Sequence, residues 1–235
     1  MKELYRLLHE QGFGSRKECR KLIEAGLVAI DGEPAADYRQ QVDPGALGEL
    51  EVDGEAWSLL ELPLYLMLHK PGGYETSHRP LHNPSVFHLL PYQFEALGIA
   101  AVGRLDVDTT GLLLMSTDGQ FIHALTSPKK LVPKCYRVTL KHPVVDELVA
   151  QLLKGVYLKD DDEKIIAETV TVVDSYTIDM TITQGKYHQV KRMVAAASNR
   201  VVGLHRLSLG SVGLGDLAEG EWRRLSREEL AALGF

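Results

Sequence analysis

Cysteine is scarce in this 235-residue chain: there are two, Cys19 and Cys135, far apart in sequence. Such a pair builds no disulfide framework and offers no Cys-x-x-Cys metal motif, which points to a reducing compartment, the cytoplasm. No apolar run approaches the roughly 20 residues that a membrane helix needs. The opening stretch MKELYRLLHEQ has no signal-peptide core. No Gly-x-Gly-x-x-Gly follows a predicted strand and no Walker A loop occurs, so nothing indicates a nucleotide cofactor. Ser77, Ser85 and Ser116 lack a nucleophile-elbow context. His78, His82 and His88 share a loop without cysteine partners, a poor set for a metal. What remains is 45% apolar and 25% charged, the composition of a globular chain of one or two domains.

A positive net charge is also missing. The formal value is −6, which argues against a polyanionic partner until its distribution is read. Residues 1–21 carry six Lys/Arg against three acids, whereas residues 22–60 carry one Arg against nine acids. Residues 128–141 and 186–206 each hold five Lys/Arg and no acid. Basic segments inside an acidic whole are compatible with a local nucleic-acid-binding face, or with two solvated elements that happen to be basic.

Residues 1–60 read as a small separate module. LYRLLHEQG places Leu4, Leu7 and Leu8 at helical spacing. Ser15 is placed to cap a second helix, RKECRKLIEAG, that ends at Gly26. Arg16, Lys17, Arg20 and Lys21 fall in its first turns, where positive charge opposes the helix dipole; either an external phosphate offsets the cost or this is a solvated basic face. LVAIDGEPA predicts a strand and an Asp31-Gly32 turn. From residue 61 the pattern turns to strands: LYLMLHKP, GLLLMST, KCYRVTLK, the pair IIAETVTVV and YTIDMTIT, and VVGLHRLSLG. Helices are predicted at DGQFIHALTSP, VVDELVAQLLKG, KYHQVKRMVAAAS and, with Ser226 and Glu229 as a capping box, at the C-terminal end. This order is not a regular βαβ alternation, so the fold class is α+β with a mixed, largely antiparallel sheet.

Chemistry concentrates in GRLDVDTTGLLLMSTDG, residues 103–119. Arg104, Asp106 and Asp108 crowd the mouth of an apolar strand. The aspartates can be turn formers, a divalent-cation pair, a glycosidase-like pair of carboxylates, or a single working carboxylate held ionised by a cation. Arg104, Lys191 and Arg192 supply cations for the last option. Tyr136, flanked by Lys134 and Arg137, is either a core aromatic or a stacking platform beside phosphate contacts.

In that order, GRLDVDTTGLLLMSTDGQ, KCYRVTL and QGKYHQVKRM resemble the bacterial rRNA pseudouridine synthases of the small-subunit type. GFGSRKECRKLIEAGLVAIDGE resembles the S4-type RNA-binding module that precedes their catalytic domain. The resemblance implies an S4-like domain with its linker over 1–60 and a catalytic domain over 61–235. It implies isomerisation of one uridine of 16S rRNA, uridine 516, and no cofactor or metal; the alternatives are a large-subunit target, or a non-catalytic S4-type RNA-binding or ribosome-assembly protein. The catalytic residues implied are Asp106, Tyr136 and Lys191. Arg104, Arg192 and Lys134 would bind the substrate, Asp108 would form the turn with Thr109 and Thr110, and Arg16, Lys17, Arg20, Lys21, Lys129 and Lys130 would hold RNA phosphates. The partner expected is 16S rRNA or a small-subunit assembly intermediate, met by a monomer without membrane attachment. Gln184 and Cys135 depart from the pattern, where Glu and a small hydroxyl residue are expected.

Overall fold

The computed structural model describes residues 1–158 and 164–235. The chain forms two compact units, Met1–Leu64 with Leu90–Ile99, and Tyr65–Leu89 with Ala100–Phe235. The expected boundary at 60/61 thus lies four residues from the observed division, and the segment 90–99 packs with the first unit although it follows the boundary in sequence.

In the first unit, α1 (Leu4–Glu10) buries Leu4, Leu7 and Leu8 almost completely. Each such side chain contributes about 1.5–3 kcal/mol by leaving water. Helix α2 (Arg16–Glu24) begins with the expected cap. The Ser15 hydroxyl accepts from the Glu18 amide at 3.3 Å, and the Glu18 carboxylate accepts from the Ser15 amide at 2.7 Å. Glu18 therefore supplies negative charge in the first turn, countering the dipole cost of Arg16 and Lys17. Strands β1 (Val28–Ile30) and β2 (Glu33–Pro34) are joined through Asp31 and Gly32, both at positive φ, as a two-residue hairpin turn requires. With β3 (Leu50–Val52) and β4 (Glu55–Trp57) they form an antiparallel sheet in the order β2-β1-β3-β4. The short helix α3 (Tyr92–Ala96) completes this unit.

The second unit is built on one sheet. Its main strands are β5 (Tyr65–Lys70), β6 (Thr110–Ser116), β7 (Lys134–Leu140), β8 (Thr169–Asp174), β9 (Thr177–Ile182), β10 (Val201–Leu209) and β11 (Trp222–Arg224). They run in the order β8-β9-β7-β10-β6-β5-β11. The β10–β6 pair is parallel and the other neighbours in this order are antiparallel. Strand β6 is buried from Gly111 to Ser116, which explains its unbroken apolar run: it is covered on both faces. Gly111 makes the parallel docking possible. Its φ is +103°, and a Cβ there would lie 2.3 Å from the Arg206 carbonyl oxygen. Helices α4 (Gly119–Thr126), α5 (Asp146–Lys154), α6 (Gln189–Ala196) and α7 (Arg227–Ala232) flank the sheet. Asp118 caps α4, and the Ser226–Glu229 box opens α7, both as expected.

Two expectations change. Helix α6 begins at Gln189, so Lys186, Tyr187 and His188 precede it, and His188 has φ +46°. The basic segments 128–141 and 186–206 do not form two continuous basic faces, because alternation along a strand sends neighbours to opposite sides. Arg137 forms a two-pronged pair with Asp179 at 2.9 and 2.8 Å, while Arg206 is 2% exposed.

Candidate active site

The loop that carries Asp106 is pinned from behind. Lys70 ends β5 with no solvent exposure, and its ammonium donates to the carbonyls of Pro71 (2.9 Å), Val107 (3.2 Å) and Thr109 (2.9 Å). Burial pulls its pKa down to about 8, against the opposing pull of Asp108 and Asp106. The buried Thr76 hydroxyl donates to the Leu105 carbonyl at 2.9 Å. The Thr109 amide closes a turn onto the Asp106 carbonyl at 3.1 Å. These bonds fix the backbone and leave the Asp106 side chain directed elsewhere.

That side chain meets α6. The Lys191 ammonium donates to Asp106 Oδ2 at 3.0 Å and to Asp108 Oδ1 at 2.6 Å. His188 Nε2 lies 3.4 Å from Asp106 Oδ1. Burial works against the charged form of Lys191, but the bonds to Asp108 and Asp106 outweigh it and raise its pKa. The same bond to Lys191 lowers the pKa of Asp108, against partial burial. Asp108 is therefore more than a turn former; it is the second carboxylate on the lysine. The ammonium also occupies the place a divalent cation would take between the two aspartates, so an Asp-x-Asp metal site does not fit this arrangement.

Asp106 and Lys191 line a cavity of about 430 Å³. Its sheet wall follows from register. Tyr136 on β7 stands opposite Met180 on β9 and Arg206 on β10, and Lys134 stands opposite Ile182. Tyr136, Lys134, Arg206 and Ile182 all line the cavity. Tyr136 is 8% exposed, so its ring belongs to the cavity wall rather than to an open surface. The Lys134 ammonium donates to the Val132 carbonyl at 2.7 Å, and burial, then nearby Arg206, lowers its pKa. Arg104 lines the cavity with an exposed side chain. A carboxylate held beside an ammonium, an aromatic wall and an exposed arginine in the lining can take up a planar ring and act on the sugar attached to it.

The other sequence-derived residues fall outside the cavity lining. The Arg192 guanidinium donates to the Tyr187 carbonyl at 3.3 Å. Lys129 and Lys130 are exposed on the turn Pro128–Lys130, between the lining residues Ser127, Pro128 and Leu131. In the first unit, Arg16, Lys17 and Lys21 are exposed along α2. Arg20 differs: its guanidinium lies over the Tyr5 and Tyr38 rings, 4.4 and 5.1 Å from their centroids, so it also packs its own unit together.

Residues 64–196 match the RNA pseudouridylate synthase family. The chain belongs to that family. Residues 4–47 match the S4 domain, so an S4 domain precedes the synthase domain. The chain is 44% identical over 234 residues to the RNA pseudouridine synthase YtzG of Bacillus subtilis (strain 168), covering 98% of this chain and 97% of that one. It is 39% identical over 220 residues to ribosomal small subunit pseudouridine synthase A of Escherichia coli (strain K12), covering 93% and 94%. A crystal structure of a pseudouridylate synthase superposes with a TM-score of 0.70 at 36% identity, covering 99% of this chain and all of that one.

Several residues around this synthase's cavity escaped the sequence reading. Lys70 was hidden in an apolar strand, although a lysine ending LYLMLHK beside a proline is itself an anomaly. In sequence Arg206 is only one of the five Lys/Arg of the basic segment 186–206. His188 falls inside the predicted helix KYHQVKRMVAAAS, and its contact with Asp106 depends on the chain breaking from helical geometry one residue before α6.

Proposed function

We propose that this synthase converts one uridine of the small-subunit rRNA, uridine 516, to pseudouridine, with the Asp106 cavity as its reaction centre. The observation that carries the reading is the Asp106–Lys191 contact at a cavity walled by Tyr136. The similarity to small-subunit synthases supports the choice of RNA.

The C1′–N1 bond of the target nucleotide breaks, the uracil turns, and C5 joins C1′. C5 then loses its proton and N1 gains one, so atoms balance without any redox step. Reaching the ribose requires the nucleotide to leave the RNA stack, which costs a few kcal/mol. Stacking on Tyr136 returns about 1–3 kcal/mol, and Arg104, exposed at the cavity, helps position the flipped nucleotide. Asp106, hydrogen-bonded by the Lys191 ammonium, either attacks the nucleotide or stabilises the positive charge that develops at C1′. Lys134 and Arg192 assist binding, while Lys129, Lys130 and the α2 residues Arg16, Lys17, Arg20 and Lys21 hold phosphates and set register. The enzyme works as a cytoplasmic monomer on 16S rRNA or an assembly intermediate, without cofactor or metal.

The test is pseudouridine mapping on both ribosomal RNAs from cells with and without the protein, and with Asp106→Asn in its place. Loss of one small-subunit site in the deletion and in the variant supports the reading. A lost large-subunit site moves the substrate assignment, and full modification by Asp106→Asn removes the assigned centre.

A further inference from the structure

Among the described residues, three buried side-chain atoms lack a hydrogen-bond partner: Thr109 Oγ1, Gln184 Oε1 and Arg206 Nη2. All three residues line the Asp106 cavity. An unpaired buried polar atom is costly, and three around one cavity indicate groups reserved for a ligand. A hydroxyl can donate or accept, so Thr109 selects little. The other two are one-sided. Arg206 offers only a donor, and its Nε already donates to the Leu112 carbonyl at 2.7 Å, which holds the guanidinium in place. Gln184 Oε1 offers an acceptor. An anionic phosphate would suit Arg206 but would repel that amide oxygen. A ring that presents N–H beside C=O satisfies both.

We propose that Gln184 and Arg206 are the uracil-reading pair of this enzyme: Gln184 Oε1 accepts N3–H, and Arg206 Nη2 donates to the ring carbonyl next to it. The proposal rests on the reading of this cavity as the uridine site. Cytosine presents an acceptor at N3 and an amino donor beside it, so it would oppose both groups. The chemistry of the ring gives the pair a second role. Turning uracil by half a revolution about the line through N3 and C6 exchanges O2 with O4 and N1 with C5, and leaves N3–H where it was. Gln184 therefore grips the pivot, and Arg206 receives whichever carbonyl swings toward it. One pair of contacts holds the base before and after rotation, which keeps the cleaved ring in the cavity.

The test uses the full chain and small-subunit rRNA carrying uridine, 3-methyluridine or 2- or 4-thiouridine at the converted position. Rates are compared within each variant, so loss of folded protein cancels. In the native enzyme, N3 methylation should lower kcat/KM about 10- to 100-fold, and each thio substitution should lower it less because sulfur accepts weakly. In Gln184→Ala, which removes the acceptor and makes room for the methyl group, methylation should cost under about threefold. In Arg206→Met, the thio substitutions should cost nothing further. KM for the whole RNA should barely move, because phosphate contacts dominate binding. Equal methylation costs in native enzyme and Gln184→Ala, or equal thio costs in native enzyme and Arg206→Met, would overturn the pair while leaving the site assignment standing. Failure of the native enzyme to convert unmodified uridine would overturn both.

Discussion

Asp106 and Asp108 share one lysine, and replacing each by asparagine separates their roles. Asp108 accepts from Lys191 at 2.6 Å, yet its side chain is 72% exposed, against 32% for Asp106. Exposed ion pairs are worth about 0.2–1 kcal/mol, and a hydrogen bond to a charged group about 1.5–3 kcal/mol when shielded. Discounting for solvent leaves about 1 kcal/mol for the Asp108 contact. Asp108→Asn keeps an oxygen acceptor and loses the charge, so Lys191 stays near Asp106 with slightly more freedom. At 1.36 kcal/mol per tenfold, kcat/KM should fall about fivefold. Asp106→Asn removes the reacting anion itself and should lower turnover by at least about a thousandfold, on the scale of losing a charge-stabilising group in a transition state. The assay is single-turnover pseudouridine formation on a small-subunit rRNA transcript at pH 7. Lys191 holds Asp108 below its ordinary pKa, so the contact is intact there and is lost only as pH falls through the lowered value. Equal losses in the two variants would refute the division of labour, and so would an active Asp106→Asn enzyme.

Lys70 predicts an alkaline limb. Its pKa of about 8 means that the ammonium holding the Asp106 loop loses its charge above that pH, so kcat/KM should decline there and the limb should be absent from a less active Lys70→Met variant. Because the unfolded pKa is 10.5 and the folded value is lower, the unfolded chain binds more protons between pH 8 and 10.5. The Lys70 contribution to stability therefore rises across that window, and thermal melting there separates lost activity from unfolding. Gly111→Ala should cost about 3 kcal/mol, combining a Cβ forced against the Arg206 backbone with an unfavourable φ; a melting point within about 2 °C of the native one would contradict this. Replacing Arg16, Lys17 and Lys21 together by alanine should reduce the salt slope of RNA binding by about 2, or roughly 0.7 per lost phosphate contact, with the fold intact. Arg20→Ala should instead lower stability as well, since its guanidinium packs on Tyr5 and Tyr38.

Local rules sufficed for much of this molecule. Leu4, Leu7 and Leu8 declare a helix, Ser15 and Glu18 start the next one, Asp31-Gly32 closes a hairpin, and the run GLLLMST demands burial on both sides. Each depends on neighbours within a few residues, so each is written in the sequence. The motif around Asp106 was also legible, because its glycine, threonines and charges are contiguous. The sequence could not state which cations meet which carboxylates. Lys70, Lys191 and Arg206 are three similar positive charges on paper. Folding puts the first behind the loop, the second between two aspartates and the third in the cavity wall, because they end a buried strand, ride on α6 and stand opposite Tyr136 in a paired sheet. The residue types limited what chemistry was available; long-range register and burial decided which charge is solvated, which is paired and which is left for a ligand.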